Sequence, residues 1–217
     1  FQFHINMFPK NYSSITMYHQ CLQDYDPLEM PRTNLRVSKE EKLTAQLILE
    51  NLGIKTDFIV LVPGAAWPQK QWQVNKYNHT INKIIDKTDK KIIMLGSKDD
   101  MICKSISNAN AYVIDYSGKT NLRQAMAIIS NSHTVFGSDT GLLHIAESLG
   151  KKVTMILGPT SKETGGGVSN IDSINVETDI WCRPCSQNGK SKCYRSTQYC
   201  MDAIPVKKVV KSVVERV

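Results

Sequence analysis

A chain of 217 residues can bury a substantial core, and 41% apolar with 22% charged residues is ordinary globular composition. No run approaches the roughly 18 consecutive apolar residues of a membrane-spanning helix. The start at Phe1 lacks the charged beginning and long apolar middle of a secretory signal.

In chain order, residues 1–35 carry Phe8-Pro9, Asp26-Pro27 and Met30-Pro31 and show no clear period. They read as the remnant of a preceding domain plus a linker, with one short helix around Ile15–Leu22. Residues 36–217 read as one domain. A helix opens it: Ser38 and Glu41 make a capping box, Leu43, Leu47, Ile48 and Leu52 form an apolar face, and Gly53 ends it. Five short runs rich in Ile, Val and Phe follow: Phe58–Val62, Ile92–Leu95, Tyr112–Ile114, Thr134–Phe136 and Val153–Leu157. Helical patterns lie between them, such as Tyr77, Ile81, Ile84, Ile85 and Leu122, Ala125, Met126, Ile129. Strands alternating with helices predict an α/β fold, a mostly parallel sheet covered on both faces.

In such sheets ligands bind beyond the carboxyl ends of the strands. Four of the five predicted strand ends carry small residues: Pro63-Gly64-Ala65, Gly96-Ser97, Gly137-Ser138-Asp139-Thr140-Gly141 and Gly158-Pro159-Thr160. The fourth-strand turn runs straight into the helical stretch Ile145–Leu149. An acid, a hydroxyl and a glycine there offer backbone N–H groups to an anion, although the same residues also serve as ordinary helix caps. Lys70, flanked by Trp67 and Trp72, is placed to contact a diphosphate, or is simply an exposed lysine. Asp100 follows the second strand, where an acid accepts hydrogen bonds from ribose hydroxyls; either Asp99 or Asp100 also suits a helix N-cap. Asp139 can bond sugar hydroxyls, and His144 can reach a phosphate or a sugar.

The C-terminal part holds two further features. Cys182, Cys185, Cys193 and Cys200 form C-x2-C-x7-C-x6-C, compatible with a four-thiol metal site, with reduced thiols, or with a disulfide pair. Cys21 and Cys103 read as small buried residues. The charge is lopsided: residues 1–56 set six Lys/Arg against six Asp/Glu, 57–181 thirteen against twelve, and 182–217 eight against two. Such a tail suits an anionic membrane surface or a phosphorylated acceptor, or is a solvated helix face. Nucleic acid is disfavoured, because aromatic and basic residues do not interleave as in a nucleic-acid groove. The last helix, Pro205–Val217, sets its valines on one face and Lys207, Lys208 and Lys211 towards solvent.

Taken in order, Pro63-Gly64-Ala65, Lys70-Gln71-Trp72, Leu95-Gly96 with Asp100, Gly118-Lys119-Thr120-Asn121-Leu122, Asp139 to Ala146, and Gly158-Pro159-Thr160 resemble glycosyltransferase family 9, the heptosyltransferases of lipopolysaccharide core assembly. The cysteine tail resembles that family's C-terminal signature, and the likeness spans about residues 36–217. The resemblance implies a GT-B architecture, two Rossmann-like domains facing across a cleft, of which this chain is the C-terminal, donor-binding half. It implies inverting transfer of a heptose or related sugar from an ADP-activated donor to a lipopolysaccharide core acceptor, with no cofactor and no required metal.

By the same resemblance Lys70 meets the diphosphate and Asp100 the ribose. Thr140, Gly141 and Leu142 cradle phosphate, and Asp139 and His144 stand beside the donor sugar, Lys70 and Asp139 supporting catalysis. The general base belongs to the N-terminal domain, so this polypeptide is expected to bind donor without turnover. Leu142 stands where many relatives carry proline. The implied setting is cytoplasmic, with peripheral contact at the inner membrane face. Two other readings use the same residues: a non-catalytic nucleotide-sugar-binding protein, and an interaction module stabilised by a metal on the cysteines.

Overall fold

The computed structural model describes residues 12–22, 32–55 and 57–217. Its strands are β1 (Phe58–Val62), β2 (Lys91–Met94), β3 (Val113–Asp115), β4 (Thr134–Ser138), β5 (Lys152–Ile156) and β6 (Ile174–Val176). The helices are α1 (Ser14–His19), α2 (Lys39–Asn51), α3 (Val74–Thr88), α4 (Met101–Ala109), α5 (Leu122–Asn131), α6 (Gly141–Ser148), α7 (Tyr199–Asp202) and α8 (Val206–Val214). All five strand pairings are parallel, in the order β3-β2-β1-β4-β5-β6. The chain winds outward from β1 to β3, then restarts at β4 on the other side of β1. Loops leaving β1 and β4 therefore diverge and open a crevice at the carboxyl edge.

β1 shows why the sheet is central: Phe58 to Val62 are all buried, and their alternating side chains feed two separate cores. Ile59 and Leu61 join Tyr77, Ile81, Ile84, Val209 and Val213 of α3 and α8 on one face. Phe58, Val60 and Val62 join Ala45, Leu49, Ile128, Ile129, Leu143 and Ala146 of α2, α5 and α6 on the other. Both faces are covered, so the strands read as unbroken apolar runs.

The Ser38–Glu41 capping box forms as expected, with Glu41 accepting from the Ser38 N–H at 2.7 Å. The expected apolar face of α2 is wrong in part. Leu43 and Leu47 are about 60% exposed, at 61% and 62%, while Ala45 and Leu49 are buried against α5 with Ile48 and Leu52 beside them. Ala45 and Leu49 set the buried face, and Arg123 adds a contact there, its guanidinium meeting both Glu41 oxygens at 2.5 and 2.6 Å. β3 lies one residue later than expected, leaving Tyr112 outside, and β6 was not foreseen. The C-terminal helix follows expectation: Val209, Val210 and Val213 are buried while Lys207, Lys208 and Lys211 are exposed. Residues 33–36 are tied to the domain by the Leu35 N–H to the Ser148 carbonyl at 2.8 Å and by the Arg123–Arg36 contact.

Candidate functional site

The crevice at the β1/β4 junction holds a cavity of about 860 Å³, lined among others by Gly64, Ala65, Gly96, Asp100, Thr140, Gly141 and Leu142. That is room for a nucleotide. Its floor is backbone. Gly137 brings β4 so close to β1 that a Cβ there would stand 1.9 Å from the Val62 carbonyl oxygen. Behind the floor the buried Ser138 hydroxyl donates to the Pro63 carbonyl at 2.9 Å and accepts from the Tyr77 phenol at 2.9 Å. Tyr77 in turn meets buried Trp72 edge to face, ring centroids 5.3 Å apart. Trp72 is thus a core anchor of the loop after β1 and contacts no part of the cavity.

Asp100 occupies the N-cap position of α4, but its side chain makes no capping bond. Instead its Oδ2 accepts from the Ser97 N–H at 2.7 Å, and the carboxylate fills the space against Gly64, where a Cβ would lie 2.5 Å away. The glycine turns are empty so that this acid can lie in the cavity wall. Of the alternatives for Asp100, the structure removes the side-chain cap and keeps a carboxylate presented to the cavity.

On the opposite wall α6 begins at Gly141 with Thr140 as N-cap, again with no side-chain cap. Its backbone bonding starts at the Leu143 N–H, which reaches the Thr140 carbonyl at 3.0 Å. The Gly141 and Leu142 amides precede that bond, at the positive end of the helix dipole and in the cavity lining. This is an anion cradle made from backbone.

Asp139 sits just beneath it, 2% exposed, and binds three side chains. Its Oδ2 takes the Lys70 ammonium at 2.8 Å and the Thr160 hydroxyl at 2.7 Å, and its Oδ1 takes His144 Nε2 at 3.2 Å. Because the carboxylate accepts, Nε2 of His144 carries the proton and Nδ1 is left for another partner. Burial pushes the Asp139 carboxyl upward, but His144, Lys70 and Thr160 together outweigh it and hold it at about 2. Lys70 reaches Asp139 from a single 3-10 turn at Pro68–Lys70, a turn backed by the Gln71 amide on the Ala65 carbonyl at 3.0 Å.

The structure therefore puts Asp100, Thr140, Gly141 and Leu142 in the cavity lining, and Lys70, Asp139 and His144 in one bonded cluster, outside that lining, whose Asp139 is next to Thr140 in sequence. The Lys70 side chain departs from the contact expected of it. Pro68 and Gln71 line the cavity, but the ammonium of Lys70 is turned onto Asp139. Sequence reasoning missed Thr160 as a partner of Asp139 and missed Gly166, whose Cβ would stand 2.7 Å from the Thr160 hydroxyl and 2.9 Å from Asp139. Gly158-Pro159-Thr160 carried a signal, being a strand-end turn on the same edge.

The four C-terminal cysteines line one small cavity of about 10 Å³ together with Gln69, Pro159 and Arg195. All are free thiols, with burial raising Cys185 and Cys200. Among the described residues no group of three or more His, Cys, Asp or Glu is arranged to hold a metal ion. The spacing gathers the four thiols around one cavity. Cys103 is buried as expected and Cys21 is exposed. Among the described residues no helix is long and apolar enough to cross a membrane.

A parallel sheet in this order, with an acid beyond β2 and an uncapped helix beyond β4, defines a Rossmann-like α/β domain with a crevice at its switch point. The profile of glycosyltransferase family 9 (heptosyltransferase) matches residues 6–194, and the chain belongs to that family. A curated relative, lipooligosaccharide heptosyltransferase 2 of Haemophilus influenzae, is 28% identical over 148 residues, 65% of this chain and 41% of the relative. The Salmonella typhimurium lipopolysaccharide heptosyltransferase 2 is 26% identical over 63% of this chain and 40% of its own length. The chain thus spans well under two thirds of these relatives. The solved structure of Escherichia coli ADP-heptose lps heptosyltransferase II shares the fold at a TM-score of 0.68 and 19% identity, covering 88% of this chain and 55% of that one. A family 9 glycosyl transferase from Veillonella parvula aligns at 0.76 and 16% identity over 98% of this chain and 62% of its own.

Proposed function

We propose that this chain is the donor-binding part of a heptosyltransferase, holding an ADP-activated heptose or related sugar for inverting transfer to a lipopolysaccharide core acceptor. The observation that carries the reading is the juxtaposition of an uncapped α6 N-terminus and the Asp100 carboxylate across one nucleotide-sized crevice, with a lysine–aspartate–histidine cluster beside it. Asp100 takes the ribose hydroxyls. The amides of Gly141 and Leu142, which no side chain caps, take the diphosphate. An ammonium has three N–H donors, and Asp139 uses one, so Lys70 can stay on Asp139 while turning another towards a phosphate oxygen. Asp139 and His144 stand where the sugar leaves the diphosphate.

Cleavage of the sugar–diphosphate bond leaves negative charge on the nucleotide. Fixed amides and one cation stabilise that charge where it develops, which is the largest contribution such a site makes. The acceptor hydroxyl must lose a proton to a base, and that base belongs to the part of the enzyme facing this domain. The exposed lysines of α8 suit peripheral contact with the inner face of a membrane.

Calorimetric titration with ADP, UDP and GDP tests the reading. ADP is expected to bind at least tenfold more tightly than the other two, and the 217-residue chain alone to transfer no sugar. Absence of ADP binding, or sustained turnover by this chain, overturns it.

A further inference from the structure

Residues 182–201 carry Arg183, Lys190, Lys192 and Arg195 and not one Asp or Glu. Arg183 is consumed internally, bonded to the Glu177 carboxylate and to the carbonyls of Thr178 and Thr160. Arg195 is not. Its guanidinium sits over three rings, 5.2 Å from the centroid of Trp181, 5.7 Å from Tyr194 and 5.6 Å from Tyr199. Those rings are 63%, 65% and 47% exposed, and among the described residues no carboxylate pairs with Arg195. Large aromatic surface is costly to leave in water unless something covers it. Here one cation spans three rings.

The platform is joined to the site. The Gln198 amide donates to the Gln69 carbonyl at 2.6 Å, beside Lys70. Lys190 lies 5.6 Å over the ring of Trp67, and Gly189 packs so closely on the Lys70 methylenes that a Cβ would fall 2.6 Å from them. A group bound on the rings is thus next to the turn that positions Lys70.

We infer that Trp181, Tyr194, Arg195 and Tyr199 form a docking platform for an anionic saccharide, the acceptor side of the reaction. The proposal rests on the reading that this rim binds an activated sugar. Aromatic faces take the C–H side of a sugar ring, and the guanidinium and Lys190 take its phosphate or carboxylate groups. A membrane surface fits less well. The rings cluster around one cation, and the neighbouring α8 turns its valines inward onto the core, so that helix offers no apolar wedge to lipid.

The test titrates the 217-residue chain with a de-acylated, phosphate-bearing lipooligosaccharide core oligosaccharide and with the same oligosaccharide after dephosphorylation. Separate titrations use ADP and phosphatidylglycerol vesicles. The phosphorylated oligosaccharide is expected to bind and to change tryptophan fluorescence. Dephosphorylation, Arg195→Gln and Trp181→Ala should each weaken it roughly tenfold or more, as loss of a charge-assisted contact or a stacking face does, while ADP affinity stays as in the wild type. Equal affinity for wild type and Arg195→Gln overturns the platform. So does vesicle binding that Arg195→Gln abolishes in a protein that ignores the oligosaccharide. Oligosaccharide binding without ADP binding upholds the platform and overturns the donor reading instead.

Discussion

Across the crevice, the two flanks meet charge by different means. On the β1–β2 side the wall is backbone and emptiness: Gly64 and Gly96 leave space, and Asp100 lies in that space on a single amide bond from Ser97. On the β4–β5 side the wall is backed by side-chain chemistry, with Asp139 saturated by Lys70, His144 and Thr160. The first flank is cheap to build and easily blocked by one added carbon. The second is costly, since it buries a carboxylate, and it fails if any partner is removed. A nucleotide presents neutral hydroxyls to the one and a dense negative charge to the other, and the division follows that chemistry.

The comparison breaks most severely at the seam between the flanks. Gly137→Ala sets a methyl against the Val62 carbonyl oxygen in the middle of a buried strand. We expect a loss of about 3 kcal/mol or more, read from denaturant midpoints; a shift under about 1 kcal/mol would show that β1 and β4 separate easily. Next, Lys70→Met strands the Asp139 carboxylate in a buried site, at a cost of about 3 kcal/mol. Adding Asp139→Asn to that variant should recover part of the loss, and strict additivity in the double-mutant cycle would refute the coupling.

Titration sharpens the same flank. Folding lowers the Asp139 carboxyl from an ordinary 3.8 to about 2, so its contribution is complete above pH 4 and disappears as pH falls through about 2. The stability difference between wild type and Asp139→Asn should therefore shrink by about 2 kcal/mol across that window; a difference independent of pH there contradicts the ion pair. The smallest stability effect belongs to the other flank. Gly64→Ala displaces a movable carboxylate, so it should cost about 1 kcal/mol yet weaken ADP roughly tenfold in calorimetry. Unchanged ADP affinity would remove Asp100 from the site.

Much of this was readable in the residues, and the failures have physical causes. The parallel sheet followed from five apolar runs separated by helical patterns, and Asp100, Asp139 and the Thr140–Leu142 turn from small residues at strand ends. β6 escaped because Ile174-Asn175-Val176 is three residues in a polar stretch, paired only at the sheet edge. Leu43 and Leu47 looked like core by period, but Ala45 and Leu49 set the buried face of α2 against α5, which is distant in sequence. Trp72, which flanks Lys70 in sequence, is buried against Tyr77 and anchors the loop. The turn of Lys70 onto Asp139, and the part of Thr160 in holding it, depend on tertiary approach that no local pattern encodes.

The hydroxyl of Ser138 sits between a phenol and a carbonyl, and that arrangement has a spectroscopic consequence. Burial pushes the Tyr77 phenol above its usual range, and Ser138 only partly offsets this. In an alkaline titration followed by phenolate absorbance, Tyr77 should stay silent for as long as the domain holds together. Its delayed ionisation would clock how often the base of the crevice comes apart, with no label attached.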